Sequence, residues 1–235
     1  MDEKLKQVEQ ILKKYGQEQL LDGYNRLPGE KEKQDFLNSI LTVDFNQIEK
    51  LFATCNESKD FSSSKIEPID FVDKSKLSKE EYEKYEKIGL KKIKEGKLAV
   101  VTMAGGQGTR LGHTGPKGTY DLGLDTHKSI FEILCDTLNE ARDKYEVDIP
   151  WYIMTSEENN EETVNFFKNN NFFGYPEKCI TFFKQGKLPM ISTEGKILLD
   201  EKGKIKEAAD GHGGIFQSML KDGVIYDMKA RGVEW

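Results

Sequence analysis

Residues 100–118 read VVTMAGGQGTRLGHTGPKG, where glycines at 105, 106, 108 and 112 keep company with two cations, Arg110 and Lys117. Glycine has no Cβ, so the main chain of such a loop can come close to a ligand, and its free N–H groups form a concave anion site. Two positive charges beside those amides suit an occupant with several negative charges close together, which is the chemistry of a polyphosphate. Two common glycine motifs are excluded by position. A G-x-G-x-x-G fingerprint begun at Gly106 and Gly108 meets Leu111 where its third glycine belongs. A Walker A loop needs G-K-[ST], whereas Lys117 follows Pro116 and precedes Gly118.

The other polar candidates carry less. Asp121, Asp200 and Asp210 have no spacing that makes them metal ligands, and they read as exposed turn residues. His113 and His127 read as surface loop residues. Cys55, Cys135 and Cys179 are far apart and lack C-x-x-C spacing, which argues against a disulfide framework and a zinc site. They read as small buried hydrophobes.

The elements that position the glycine loop follow from periodicity. LAVVTM, residues 98–103, is a short continuous apolar run and predicts a strand buried on both faces of a parallel sheet. Open α/β sheets bind ligands at the carboxyl ends of their strands, which is where the loop then lies. Ser129 with Glu132 makes a capping box opening a helix whose face carries Ile130, Ile133, Leu134, Leu138 and Ala141. WYIMTS (151–156) and CITFF (179–183) are the next strands, with a helix through Val164, Phe166 and Phe167 between them. This alternation predicts right-handed crossovers and a doubly wound α/β layer. Turns near Gly195 and Gly203 set off KILLDEKGKI as a hairpin inserted in that layer.

Ahead of Leu98 the period is helical. Leu5, Val8, Ile11, Leu12 and Tyr15 form a stripe that stops at Gly16; Phe36, Leu37, Ile40 and Leu41 form a second, and Ile48, Leu51 and Phe52 a third. Residues 55–76 are polar and contain Pro68, as in a long connection. A capping box of Ser78 and Glu81 opens another helix, which Gly96 ends. The expected division is a helical region over 1–96 and a nucleotide-binding α/β domain over 97–235.

Composition narrows the class of partner. The formal net charge is −6, against the clustered positive charge that duplex binding requires, so no nucleic-acid partner is expected. No stretch approaches the roughly 18 to 20 apolar residues that span a bilayer, and MDEKLKQVEQ has no apolar signal-peptide core. The expectation is a cytoplasmic protein without a membrane partner.

MAGGQGTRLG followed by PKGTYDLGL resembles the signature of the uridine diphosphate sugar pyrophosphorylases. The resemblance continues through WYIMTSEENNEETVNFF, FFKQGKLPMIS and AADGHGGIF, and is strongest toward the eukaryotic-type N-acetylglucosamine-1-phosphate uridylyltransferases. It implies a Rossmann-like nucleotide-diphosphosugar transferase fold, with a mixed, mostly parallel sheet flanked by helices and an N-terminal helical region. It also implies a reaction of UTP with a sugar 1-phosphate, and Mg²⁺ as cofactor. By the same resemblance Met103, Ala104, Gly105 and Gly106 lie along the nucleotide, and Arg110 and Lys117 contact its phosphates. Gln185 reads the uracil edge, Gly211 approaches the nucleoside by its backbone, and His212, ahead of a helix, faces the ribose or the sugar.

The match departs from the family in three places. His212 stands where the acetylhexosamine enzymes carry Asn and is more like the glucose 1-phosphate enzymes, so UTP–glucose-1-phosphate uridylyltransferase is the alternative. Met103 replaces a usual Leu, a volume-conserving swap. YDMKARGVEW stops as a new strand begins, and the family's magnesium-holding aspartate lies beyond such a strand; a nucleotide-binding fragment without turnover is therefore a second alternative. A helical interaction protein with an α/β scaffold is a third.

Overall fold

The computed structural model describes residues 2–57 and 65–235; part of the connection expected over 55–76 lies outside them. In chain order the helices α1 (Asp2–Lys14), α2 (Leu20–Arg26), α3 (Glu30–Thr42) and α4 (Phe45–Asn56) come first. They are followed by α5 (Lys79–Lys94), β1 (Val100–Met103), α6 (Ile130–Tyr145), β2 (Trp151–Thr155), α7 (Asn160–Asn169) and β3 (Ile180–Lys184). The short strands β4 (Lys187–Pro189) and β5 (Glu207–Ala209) precede α8 (Ile215–Lys221) and α9 (Val224–Ala230).

These elements form two compact units, one of residues 1–68 with 187–209 and one of residues 69–186 with 210–235. The division differs from a boundary at residue 96 in two ways. α5 belongs with the α/β unit, and the hairpin segment belongs with the first helices rather than being inserted in the layer. Burial of apolar side chains is the reason. Ile197, Ile191, Leu199 and Ile205 share one core with Val8, Leu12, Leu20, Leu37 and Ile40 of α1 to α3. Gln17 ties the hairpin to the end of α1, accepting from Ile197 N–H and donating to Gly195 O, each at 2.9 Å. Gly23 of α2 is glycine because a Cβ there would lie 2.5 Å from Gly203 O at the second turn.

The second unit carries a parallel sheet in the order β1-β2-β3. Alternate residues of β2 feed two different cores. Trp151 and Ile153 pack with Phe131 and Cys135 of α6 and Phe167 of α7, while Tyr152 and Met154 pack with Met219 of α8 and Val224 of α9. All five residues of β2 are buried, as expected of a central parallel strand. β1 is not buried on both faces: Val101 is 38% and Met103 50% exposed. It stands at the end of the three-strand order. Trp235 is hydrogen-bonded just ahead of β1, donating to Lys97 O at 3.0 Å and accepting from Ala99 N–H at 2.9 Å.

Of the two expected capping boxes, the one at Ser78 and Glu81 is complete. At α6 only Ser129 contributes, accepting from Glu132 N–H at 3.2 Å. Cys135 and Cys179 are buried, whereas Cys55, on the last turn of α4, is exposed. Burial pushes the Cys135 thiol up to about 11 and raises that of Cys179.

Candidate functional site

The loop after β1 is held by a residue the motif reading passed over. Asn159, fully buried at the start of α7, donates from Nδ2 to Ala104 O at 3.0 Å and to Gly106 O at 3.4 Å. Its own carbonyl oxygen accepts from Ser156 N–H at 2.8 Å. Gly106 O also accepts from Lys117 N–H at 3.0 Å. A trans peptide is planar with its C=O and N–H antiparallel, so drawing the carbonyls of 104 and 106 toward Asn159 turns the N–H groups of Gly105 and Gln107 away from it. Among the described residues nothing accepts from the amides of Gly105, Gly106 or Gln107, while Ala104 N–H is used by the sheet, at 2.7 Å from Met154 O. The glycine loop thus carries the free donors that an anion needs.

A cleft of about 850 Å³ opens beside it, lined among others by Met103, Ala104, Gly106, Arg110, Lys117 and His212. Arg110 lies in the single turn Thr109–Leu111 and Lys117 in the single turn Lys117–Thr119. Both are exposed, and neither has a carboxylate partner among the described residues. The turn bearing Lys117 is closely packed: Gly118 lies so near the Phe131 ring of α6 that no Cβ fits between them.

Gln185 directly follows β3 and stands at the edge of this arrangement rather than in the cleft lining. Its Nε2 donates to Gly211 O at 2.8 Å, and its Oε1 lies where a Cβ on Gly105 would be, 2.6 Å from it. Six of the nine expected positions thus line the cleft, Met103, Ala104, Gly106, Arg110, Lys117 and His212, while Gln185 lies against Gly105 and is hydrogen-bonded to Gly211. Gly211 has φ +75°, a left-handed conformation that favours glycine. His212 is exposed and lies in the turn His212–Gly214 ahead of the seven-residue α8.

The expected turn aspartates divide. Asp121 accepts from Gly123 N–H at 2.8 Å, and Asp200 accepts from Lys202 and Lys204 N–H at 2.9 and 2.8 Å, as turn residues do. Asp210 is not exposed: its carboxylate is wedged between Gly186 and Gly214, neither of which has room for a Cβ, and its Oδ1 is buried without a hydrogen-bond partner. His113 is likewise half-buried within the glycine loop rather than on its surface. Asn159 could have been suspected from sequence only as a polar residue between a strand and a helix. Its contact with Ala104 spans 55 positions.

A parallel sheet whose central strand is covered on both faces, with a glycine loop at the carboxyl end of its first strand, makes this an α/β protein, and its structural neighbours put it in the nucleotide-diphosphosugar transferase class. The family model described as UTP--glucose-1-phosphate uridylyltransferase matches residues 43–235, and the chain belongs to that family, UDPGP. It is 38% identical to UDP-N-acetylglucosamine diphosphorylase 2 of Arabidopsis thaliana over 95% of this chain and 47% of that protein. It is 33% identical to UDP-N-acetylglucosamine pyrophosphorylase of Saccharomyces cerevisiae over 97% of this chain and 50% of that protein. The crystal structure of the uridine diphosphate N-acetylglucosamine pyrophosphorylase from Trypanosoma brucei superposes with a TM-score of 0.75 at 25% identity, covering 99% of this chain and 50% of the other. The chain spans about half the length of the curated relatives it matches.

The family generally uses a divalent metal. Among the described residues no group of three or more His, Cys, Asp or Glu is placed to hold one, so the residues present do not fit such an ion. No helix among them is long and apolar enough to cross a membrane.

Proposed function

We propose that this chain is the nucleotide-binding part of a uridylyltransferase that joins UTP to N-acetylglucosamine 1-phosphate and releases pyrophosphate. The observation that carries the reading is the row of amides at Gly105, Gly106 and Gln107, free of partners among the described residues, beside two cations, Arg110 and Lys117, that have no carboxylate partner among them. The sugar follows from the relatives, several of which are UDP-N-acetylglucosamine pyrophosphorylases.

The chemistry suits these residue types. The second pKa of a phosphate monoester is about 6, so the sugar 1-phosphate is already an anion at neutral pH and needs no general base. One of its oxygens forms a bond to the α-phosphorus of UTP. The bond from that phosphorus to the oxygen bridging to the β-phosphate breaks, and its electron pair leaves with pyrophosphate. The obstacle is repulsion between two anions, which Arg110 and Lys117 offset with charge already in position. Met103 to Gly106 run along the nucleotide. Gln185 offers both a donor and an acceptor to the N3–H and a carbonyl of uracil, and His212 faces the ribose or the sugar. The resemblance to the family implies Mg²⁺ as the divalent ion, and no step above is routed through it.

Calorimetric titration with UTP, CTP and ATP tests the reading, followed by pyrophosphate release with each sugar 1-phosphate. UTP binds tightest, and Lys117→Ala weakens it; where turnover is measured, removing one such cation lowers the rate by ~10² to 10³. ATP binding as well as UTP, or neither binding, would overturn it. Faster release with glucose 1-phosphate than with the N-acetylated sugar would replace the sugar and keep the nucleotide.

A further inference from the structure

His113 lies on the chain between the two cations, and its contacts reach both of the turns that carry them. Its backbone N–H donates to Gly108 O at 3.2 Å. Its ring packs on Gly108 so closely that a Cβ there would lie 2.8 Å from His113 Cδ2. Its Nε2 stands 2.8 Å from Thr119 Oγ1, and that hydroxyl donates to Pro116 O at 2.9 Å. A hydroxyl has one proton, so Thr119, committed to Pro116, can only accept from the ring; Nε2 is therefore a donor. The ring meets Tyr120 edge to face, with centroids 5.6 Å apart. At the same nitrogen it closes on Gly115, where a Cβ would lie 3.1 Å from Nε2.

We infer that His113 is a positioning residue that cross-braces the turn bearing Arg110 to the turn bearing Lys117, holding the two cations at the spacing a polyphosphate requires. Gly108 opens the first of these turns, and Pro116 and Thr119 bracket Lys117 in the second. Two exposed like charges repel, and loose arms must be ordered at the moment of binding; a brace inside the loop meets that cost during folding. The inference rests on the nucleotide reading above and adds the residue that sets the geometry of its phosphate subsite. Because the contacts of the brace fall within residues 108–120, it governs affinity for the phosphates and leaves selection of the base, the role given to Gln185, unchanged.

The test compares the wild-type chain with His113→Phe, His113→Gln and Thr119→Val. Amide hydrogen exchange in the free protein reads the brace directly at Gly108 and Lys117, whose N–H groups are bound to Gly115 O and Gly106 O at 2.9 and 3.0 Å. Calorimetry then reads UTP, inorganic triphosphate and uridine. His113→Phe and Thr119→Val are expected to speed exchange at both amides and to weaken UTP and triphosphate about tenfold, with uridine unaffected. Their combination is expected to be no worse than either alone, and His113→Gln, which keeps a donor at the Nε2 position, restores both readouts. Wild-type UTP affinity in His113→Phe or Thr119→Val overturns the inference, as does a glutamine variant no better than the phenylalanine one. If the wild-type chain binds neither UTP nor triphosphate, the nucleotide reading falls and the phosphate role of the brace falls with it; the exchange data still report whether the brace exists.

Discussion

The side-chain amide of Asn159 lies 3.0 Å from the carbonyl oxygen of Ala104, and through that bond the first turn of α7 decides which way the peptides of the glycine loop face. Asn159→Ala removes donors to two loop carbonyls and the acceptor for Ser156 N–H, leaving buried polar groups unpaired. The expected cost is about 1 to 3 kcal/mol in urea denaturation. UTP affinity is expected to fall at least tenfold beyond any loss of folded protein, because the amides of Gly105 and Gln107 are no longer aimed. Unchanged affinity in a folded Asn159→Ala protein would show that the loop orients itself.

Gly106→Ala separates ligand space from folding space. Among the described residues a Cβ at Gly106 meets no atom beyond its chain neighbours within 4 Å, and its backbone is not in the left-handed region, so stability should be unchanged or slightly higher. Any ligand that approaches the Gly106 amide meets that methyl group. The expected result is an unaltered melting temperature in the free protein together with a smaller nucleotide-induced shift. Equal shifts in the two proteins would place the ligand elsewhere.

Acid should weaken the second unit through two aspartates. The Tyr152 hydroxyl, 2.7 Å away, holds the Asp227 carboxyl below its ordinary value, with Arg231 adding to the effect. Lys178 and then Arg142 do the same for Asp148. A depressed folded pKa contributes stability that is present above the unfolded value of 3.8 and is lost as pH falls through the folded value. Tyr152→Phe and Asp148→Asn are therefore expected to flatten the fall of the urea midpoint below about pH 4. A variant as steep as the wild type would remove that pair from the account.

The three thiols should react at very different rates. Cys55 is exposed, while Cys135 and Cys179 are buried and their thiols are held protonated by desolvation. Maleimide labelling of the folded chain, read by mass spectrometry, is expected to modify Cys55 first and the other two only on unfolding. Early labelling of Cys135 would show that the α6 core opens below global unfolding.

Much of the α/β layer was legible in the sequence because it is encoded locally. The apolar runs at 98–103, 151–156 and 179–183 became β1, β2 and β3, each within two residues. The exposure of Val101 and Met103 was not legible, since an apolar run looks the same in a central strand and at an edge. The fate of KILLDEKGKI was likewise hidden: its turns were visible, but its choice of the first helices as a partner depends on groups some 180 positions away, as with the Gln17 side chain that accepts from Ile197 N–H. His113 and Asp210 read as surface residues because their type is polar, and only packing reveals what encloses them.

By itself, the order of residues determined the family, the parallel layer and the glycine loop with Arg110 and Lys117, because periodicity, missing Cβ atoms and charge are properties of neighbours along the chain. Tertiary structure alone decided which peptides of that loop are free to donate, which side chain braces its two cations and which elements share a core. Those outcomes rest on hydrogen bonds and apolar contacts between distant segments, and a buried polar group or a methyl group finds its partner only when the chain has closed around it.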